Sequence, residues 1–133
     1  MSTQTRFDLN GLIDAIESFN ASYQVALYAE HAEVEIADGD SIGQSPHVLV
    51  GRPAISQWIE GLAERHLVHR IVEPRADRRF VSFVDELQDP DGTTVRHRRT
   101  AEISTGQISR ESISVEATVG RPIDRHLAGY FLG

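Results

Sequence analysis

Four runs of alternating apolar residues follow one another between residues 67 and 119, and this stretch limits most strongly what the chain can fold into. The runs cover residues 67–73, 80–87, 94–103 and 108–119. A period of two predicts β-strands, and the short gaps carry turn residues such as Asp89-Pro90-Asp91-Gly92. Strands joined by tight turns pair antiparallel. Because one face of such a sheet has to be buried, we expect the residues before 67 to cover it.

The composition excludes several kinds of site. The chain has 133 residues and no cysteine, so it has no disulfide, no thiolate nucleophile and no zinc site built on sulfur. All thirteen basic residues are arginine, which excludes an active-site lysine. A net charge of −7 argues against nucleic-acid binding. The sequence has no apolar run of ~20 residues and no basic-then-apolar start, so we predict a cytoplasmic protein of one domain with no membrane partner.

Three helices are predicted ahead of the strands. Residues 8–19 have apolar side chains at helical spacing after a capping Asp8, and a short second helix is predicted over 22–30. Residues 33–36 alternate like a brief strand, and 37–50 are predicted to form a loop. Gly51-Arg52-Pro53 begins a third helix, and a second Gly-Arg-Pro at 120–122 precedes a predicted C-terminal amphipathic turn.

This order of elements resembles the nuclear transport factor two-like superfamily, and within it the SnoaL-like group of polyketide cyclases, steroid isomerases and dehydratases. The resemblance is carried by residues 25–35, 50–55, 65–68 and 104–108, and it spans 8–118. It implies an α+β fold in which a curved antiparallel sheet, wrapped by three N-terminal helices, forms a cone with an internal pocket. Residues 1–133 would then be a single domain, with 119–133 as a C-terminal extension.

Strand alternation predicts which polar residues line that pocket. On the second run the more apolar of the two alternating sets is placed inward, and it consists of Val81, Phe83, Asp85 and Leu87. On the third run the inward set consists of Val95, His97, Arg99, Ala101 and Ile103. The first run stays open between two sets. One contains His66, Val68, Arg70 and Val72, and the other contains Leu67, His69 and Ile71.

We therefore hypothesise a catalytic site of His66, Asp85, His97 and Arg99. A histidine titrates near neutral pH and a carboxylate beside an arginine stays charged, so the set could move a proton next to a carbonyl group. In the dehydratases that the chain resembles, a histidine in the place of His66 acts as acid or base. The alternative is that His66 is a rim residue and that Asp85 and Arg99 form a structural ion pair.

Ligand contacts are predicted at Tyr28, Ile36, Trp58 and Phe83, although the apolar stripe that carries Trp58 is also typical of core. The positions that correspond to the steroid isomerases depart from them. Their base aspartate falls at Ile36, and their oxyanion-hole tyrosine and acid fall at Ala15 and Arg99. Steroid isomerisation by that mechanism is therefore not expected.

Two other motifs fit poorly. Gly39-Asp40-Ser41-Ile42-Gly43 matches a nucleophile elbow that Asp124 and His126 could complete, but no helix is predicted after the serine. His66 and His69 are three positions apart, which on a strand points them to opposite faces and argues against a shared metal.

Two classes of function remain. The first is a lyase, isomerase or cyclase that needs no cofactor or metal and acts on a small apolar carbonyl compound. The second is a non-catalytic ligand-binding or dimeric assembly domain. Members of the family that the chain resembles commonly form dimers through the outer face of the sheet, so we expect a homodimer. The residues expected on that face are Phe80, Ser82, Val84, Ile113 and Val115.

Overall fold

The computed structural model describes residues 6–37 and 47–119, which form three helices and six strands. The helices are α1 (Leu9–Glu17), α2 (Ala21–Ala26) and α3 (Arg52–Glu64). The strands are β1 (Tyr28–Ala37), β2 (His47–Val50), β3 (Val68–Ala76), β4 (Phe80–Gln88), β5 (Thr94–Ser104) and β6 (Gln107–Val119). The α+β class predicted from the sequence is confirmed. Within the described ranges, no helix is long and apolar enough to cross a membrane.

The strands form a single curved sheet in the order β2-β1-β6-β5-β4-β3. The predicted antiparallel meander is confirmed over β3 to β6. The sheet as a whole is mixed rather than antiparallel, because β1 pairs parallel with β6. After α3 the chain enters the sheet as β3, at the edge opposite β2. It then returns strand by strand to β6, which runs beside β1 in the same direction. Register shifts interrupt β3 between Val72 and Arg75 and β5 between Arg96 and His97, and such bulges bend a sheet.

Helix α2 is shorter than predicted. It begins after Asn20, whose Oδ1 accepts a hydrogen bond from the Tyr23 amide at 3.1 Å, and it ends at Ala26. Tyr28 is already the first residue of β1, since Ile108 pairs with it across the sheet. The prediction of a loop over 37–50 missed β2, which lies at a sheet edge. Residues 38–46 and the predicted C-terminal turn lie outside the described residues.

The core lies between the inner face of the sheet and the helices. Leu12 and Ile16 of α1 and Ile55 and Ile59 of α3 are buried against it, as their helical spacing predicts. Removing each of these side chains from water contributes about 1.5–3 kcal/mol to folding. Both helices therefore cover the inner face of the sheet, with α1 beside β3 and α3 beside β1 and β2.

The inner face follows the predicted alternation on two strands. Val81, Phe83, Asp85 and Leu87 of β4 are all buried, and so are Arg99 and Ala101 of β5. On β3 the structure decides the open question, because His69 is buried while Val68 is exposed.

The prediction for the outer face was partly wrong. Ile113 is the cross-strand partner of Arg99 and is buried in the core, and Val115 pairs with His97 on the same inner face. Cross-strand partners share a face of the sheet, so these two residues cannot belong to an outer dimer surface. Val84 is also fully buried, whereas Phe80 is exposed. The error arose because β6 was read one residue out of phase.

Candidate acid–base site in a buried polar cluster

Five polar side chains meet on the inner face of the sheet, and we refer to them as the inner cluster. They are Tyr28, His69, Asp85, Arg99 and Glu111. Glu111 and Tyr28 are completely buried, and His69, the most accessible, is only 7% exposed. Charged residues are seldom buried unless they are paired. The cluster is therefore the main candidate for a functional site.

The pairing of the strands brings the cluster together. His69 of β3 lies opposite Leu87, which places it diagonal to Asp85 on β4. Arg99 of β5 lies opposite Phe83 and is likewise diagonal to Asp85. Diagonal neighbours on one face lie within reach of long side chains. A polar line thus runs across β3, β4 and β5, and it continues to Glu111 on β6 by the same geometry.

Arg99 is held from two sides. Its Nε donates to Glu111 Oε2 at 2.7 Å, and its Nη2 donates to Glu111 Oε1 at 3.2 Å and to the Tyr28 hydroxyl at 3.0 Å. The Tyr28 hydroxyl in turn donates to Glu111 Oε1. On the other side, Arg99 Nη1 lies 3.6 Å from Asp85 Oδ2. A fork of this kind fixes both the position and the plane of the guanidinium group.

Aromatic rings cover the guanidinium group. Its central carbon lies 5.1 Å from the centre of the Phe83 ring and 5.6 Å from that of Trp58. Burial opposes the charged form, but the attraction of Glu111, with the other partners, raises the pKa of Arg99 above its ordinary value. Burial and then the charge of Glu111 raise the pKa of Tyr28 well above 10. Arg99 is therefore a permanent cation, and Tyr28 is neutral at physiological pH.

His69 is paired with Asp85. Its Nδ1 lies 3.0 Å from both carboxylate oxygens, and both side chains are buried. A carboxylate accepts a hydrogen bond, so Nδ1 carries the proton and the neutral ring presents Nε2 as its basic nitrogen. The two carboxylates of the cluster outnumber Arg99 by one negative charge. With a neutral His69 ring, the formal charge of the cluster is therefore −1.

A small cavity lies beside the cluster, under α1, α2 and α3. Its lining includes His69, Arg99 and Trp58, together with Ile16, Phe19 and Gln24. Its volume is about 10 Å³, close to the minimum that one water molecule occupies. The site therefore has the groups for proton transfer, but an organic ligand needs a wider opening than this conformation gives.

The four predicted catalytic residues are only partly brought together. Asp85 and Arg99 form the predicted buried pair. His97 is half-buried and lies opposite Asp85 in the β4–β5 pairing. His66 is exposed, with a backbone φ of 56°, in the turn after α3, so its placement in the cavity was wrong. Inward and outward positions alternate along β3, and the inward histidine is His69.

The predicted ligand contacts lie near the cluster, with one exception. Trp58 and Phe83 flank Arg99, and Tyr28 belongs to the cluster itself. Ile36 is half-buried on β1 and packs against the core. Their roles toward a ligand stay predictions.

Sequence reasoning missed Glu111 and left His69 undecided, although signals for both exist. The set Leu67, His69 and Ile71 contains no arginine or carboxylate, whereas the set with His66 contains Arg70. Glu111 precedes Ile113 and Val115 at spacings of two and four. An inward assignment of Ile113 and Val115 would have placed the Glu111 carboxylate inward as well.

The other motifs do not add a site. The elbow motif at 39–43 and its partners Asp124 and His126 lie outside the described residues. Across residues 6–37 and 47–119, no group of three histidine or carboxylate side chains is placed to hold a metal ion.

Comparisons with known proteins support the fold. No protein-family profile matches the sequence, and no curated protein matches it. Many solved structures are similar. An NTF2-like protein from Mesorhizobium loti is 16% identical with a TM-score of 0.72, and the match covers 82% of this chain and 88% of that one. A SnoaL-like protein from Burkholderia thailandensis is 14% identical with a TM-score of 0.61, covering 81% and 90%.

A third similar structure is an enzyme. It is the epoxide hydrolase/cyclase-like SalBIII, which has a role in pyran ring formation in the polyether salinomycin. It is 14% identical with a TM-score of 0.61, covering 80% of this chain and 86% of that one. At these identities the similarity concerns architecture. The chain has the nuclear transport factor two-like fold.

Proposed function

We propose that the protein is a cofactor-independent acid–base enzyme of the isomerase, lyase or cyclase type, which acts on a small, neutral, largely apolar carbonyl compound. One observation carries the proposal. His69 lines the cavity while its Nδ1 is held by both oxygens of Asp85. A carboxylate in this position fixes the tautomer of the ring and stabilises the imidazolium ion that forms when Nε2 takes a proton.

The chemistry follows from the groups around the cavity. His69 Nε2 removes a proton from the carbon next to the carbonyl group, and the electron pair moves onto the carbonyl oxygen. The fixed positive charge of Arg99, which also lines the cavity, stabilises the oxygen as negative charge develops. The imidazolium then returns the proton to another carbon, which isomerises the substrate, or to a leaving hydroxyl group, which eliminates water.

Proton exchange provides the test. We expect the wild-type protein to exchange the methyl protons of neutral aryl ketones such as 2-acetylnaphthalene in deuterated water, followed by NMR. His69→Gln should reduce the rate about 10²–10⁴-fold, the usual contribution of a general base. Asp85→Asn should also reduce the exchange rate, because the amide no longer fixes the tautomer in which Nε2 of His69 is the basic nitrogen. The exposed His31 supplies the control His31→Gln.

A further variant separates the sequence-based site from the structural one. If His66 is the base, His66→Gln loses exchange and His69→Gln keeps it, whereas our proposal predicts the reverse. Equal exchange rates in the wild type and His69→Gln would exclude the proposed function.

A second candidate function is favoured by the small size of the cavity. Throughout the described residues, every buried side-chain nitrogen and oxygen has a partner within the chain. A self-satisfied cluster beside a cavity of about 10 Å³ fits a non-catalytic binding or assembly domain. Ketone binding without proton exchange would support this function.

The proposal includes a homodimer in the cytoplasm. The outer face retains the exposed Phe80, and the cysteine-free chain requires no oxidising compartment. Sedimentation equilibrium of the wild type and Phe80→Glu tests the dimer, since a charge at an apolar contact should shift the population toward monomer.

A further inference from the structure

A surface groove adjoins the cavity and shares part of its wall. The groove has a volume of about 470 Å³ and lies between α2 and α3. Phe19 and Ala21 line both the groove and the cavity. These two residues are therefore the partition between solvent and the side of the cavity that carries His69.

Phe19 is the larger and more exposed residue of that partition. It lies in the break between α1 and α2, with a backbone φ of 61°, a conformation that non-glycine residues seldom adopt. Its ring meets the His69 ring edge-on, with 5.7 Å between ring centres, yet the residue is 43% exposed. Because the side chain is already partly in solvent, rotation about its χ1 and χ2 bonds can carry the ring away from His69 without any change in the backbone. Such a rotation would join the groove to the cavity.

We infer that the groove between α2 and α3 is the outer half of the ligand site, that it receives the hydroxyl-bearing end of an elongated neutral molecule, and that Phe19 is the gate between the two halves. The inference rests on the proposed function, because it assigns the carbonyl end of the same molecule to the cavity beside His69. Together the two hollows reach the size of ordinary small-molecule sites, about 300–1,000 Å³.

The lining of the groove indicates the class of ligand. Ala21 and Val25 supply apolar contacts, and Ser22, Ser56 and Glu60 supply hydroxyl and carboxylate groups. Ser56 donates to Glu60 at 3.5 Å, a long hydrogen bond that a ligand hydroxyl could replace. Glu60 outside and the excess carboxylate of the inner cluster inside both repel anions. A neutral molecule with a hydroxyl group at one end and a carbonyl group at the other fits both halves.

The first experiment measures binding of prodan, a neutral naphthyl ketone whose fluorescence reports an apolar site. Phe19→Gly removes the ring and suits the left-handed backbone, and we expect about 10-fold faster association because the open state is no longer a minor population. Ser56→Trp fills the groove and should weaken binding about 10-fold. Gln57→Trp places the same side chain at the next, exposed position of α3, outside the groove, and should bind like the wild type.

The second experiment tests the class of ligand by competition. 2-Acetylnaphthalene should displace prodan, whereas 2-naphthoate, which has the same rings and a negative charge, should compete at least about 10-fold more weakly, equivalent to roughly 1.4 kcal/mol. Glu60→Gln removes one of the charges that repel 2-naphthoate, so it should reduce the difference in competition between the two compounds. Equal competition by the two compounds would overturn the assignment to neutral ligands.

Three results would overturn the site itself. They are equal prodan affinity in Ser56→Trp and Gln57→Trp, equal association rates in the wild type and Phe19→Gly, and absence of prodan binding in every variant. Should Ser56→Trp fail to fold, Ser22→Trp blocks the groove from α2. All these measurements concern binding, so they stand apart from the proton-exchange test on His69→Gln. If His69→Gln loses proton exchange while Ser56→Trp binds prodan as the wild type does, the proposed function stands and only the role of the groove is excluded.

Discussion

Arg98 and Arg99 are neighbours on β5, yet they belong to two different charge clusters on opposite faces of the sheet. Arg99 is 4% exposed, and Glu111, Tyr28 and Asp85 surround it. Arg98 donates to Glu116 at 2.8 Å and to Glu73 at 3.2 Å on the outer face. Arg96 and Glu86 complete that outer cluster, whose side chains are between 21% and 55% exposed.

The difference lies in the solvent rather than in the residue types. Water screens the outer pairs and keeps their attraction small. The inner ions have lost their hydration, and their mutual attraction only roughly offsets that loss. The inner cluster therefore contributes little net free energy to folding. Its hydrogen bonds and ion pairs fix the positions of His69 and Arg99 beside the cavity.

The largest expected effect comes from breaking the inner cluster. Arg99→Met leaves Glu111 and Asp85 buried without their cation, which should lower the free energy of unfolding by about 3–5 kcal/mol in urea denaturation. Arg98→Met changes the neighbouring residue in the same way and should cost much less, because Glu116 and Glu73 remain hydrated. Similar losses in the two variants would contradict the distinction between the faces.

A combined variant sharpens this result. Tyr28→Phe, Arg99→Met and Glu111→Leu together remove three mutually bonded groups, and the triple variant should recover most of the loss seen with Arg99→Met alone. A triple variant as unstable as Arg99→Met would mean that the cluster does contribute net stability.

A middle-sized effect is expected from the Tyr28 hydroxyl. Tyr28→Phe leaves Glu111 and Arg99 each without one hydrogen bond, which should cost about 1–3 kcal/mol at pH 7. The folded protein holds the Tyr28 proton above pH 10, where the unfolded chain releases it. Wild-type stability should therefore be complete below pH 10 and fall above it, by up to about 1.4 kcal/mol per pH unit from this group.

Comparison of two phenylalanine variants isolates that pH dependence. Tyr28→Phe should flatten the alkaline decline in stability. Tyr23→Phe should flatten it less, since Tyr23 is exposed and its pKa is raised mainly by one hydrogen bond to Asp8. Parallel alkaline curves for the wild type and Tyr28→Phe would show that Tyr28 ionises as freely when folded as when unfolded.

The smallest effect is expected on the outer face. Glu116→Gln removes the shared partner of Arg96 and Arg98 and should lower the free energy of unfolding by about 0–1 kcal/mol at low salt. In 1 M NaCl the Debye length falls to about 3 Å, and the difference from the wild type should vanish. A loss that persists at high salt would indicate that this cluster is shielded from solvent.

The alternation of apolar residues along a strand predicted the direction of side chains correctly where apolar residues dominated one face. The alternation on β4 placed Asp85 correctly because Val81, Phe83 and Leu87 share its face. It was misleading on β6, where Ile113 and Val115 were assigned outward and Glu111 was overlooked. Short β2 was missed for a similar reason, since a four-residue edge strand owes its existence to pairing with β1 rather than to its own pattern.

The sequence by itself determined the antiparallel meander, the inward direction of Asp85 and Arg99, and the helices that cover them, because these depend on spacing along the chain. Only the tertiary structure decided that β1 and β6 run side by side, that His69 rather than His66 meets Asp85, and that Glu111 pairs with Arg99 while Tyr28 helps to position it. Those contacts join residues 16, 12 and 71 positions apart. Such pairings depend on strand register and bulges across the whole sheet, which no local period encodes.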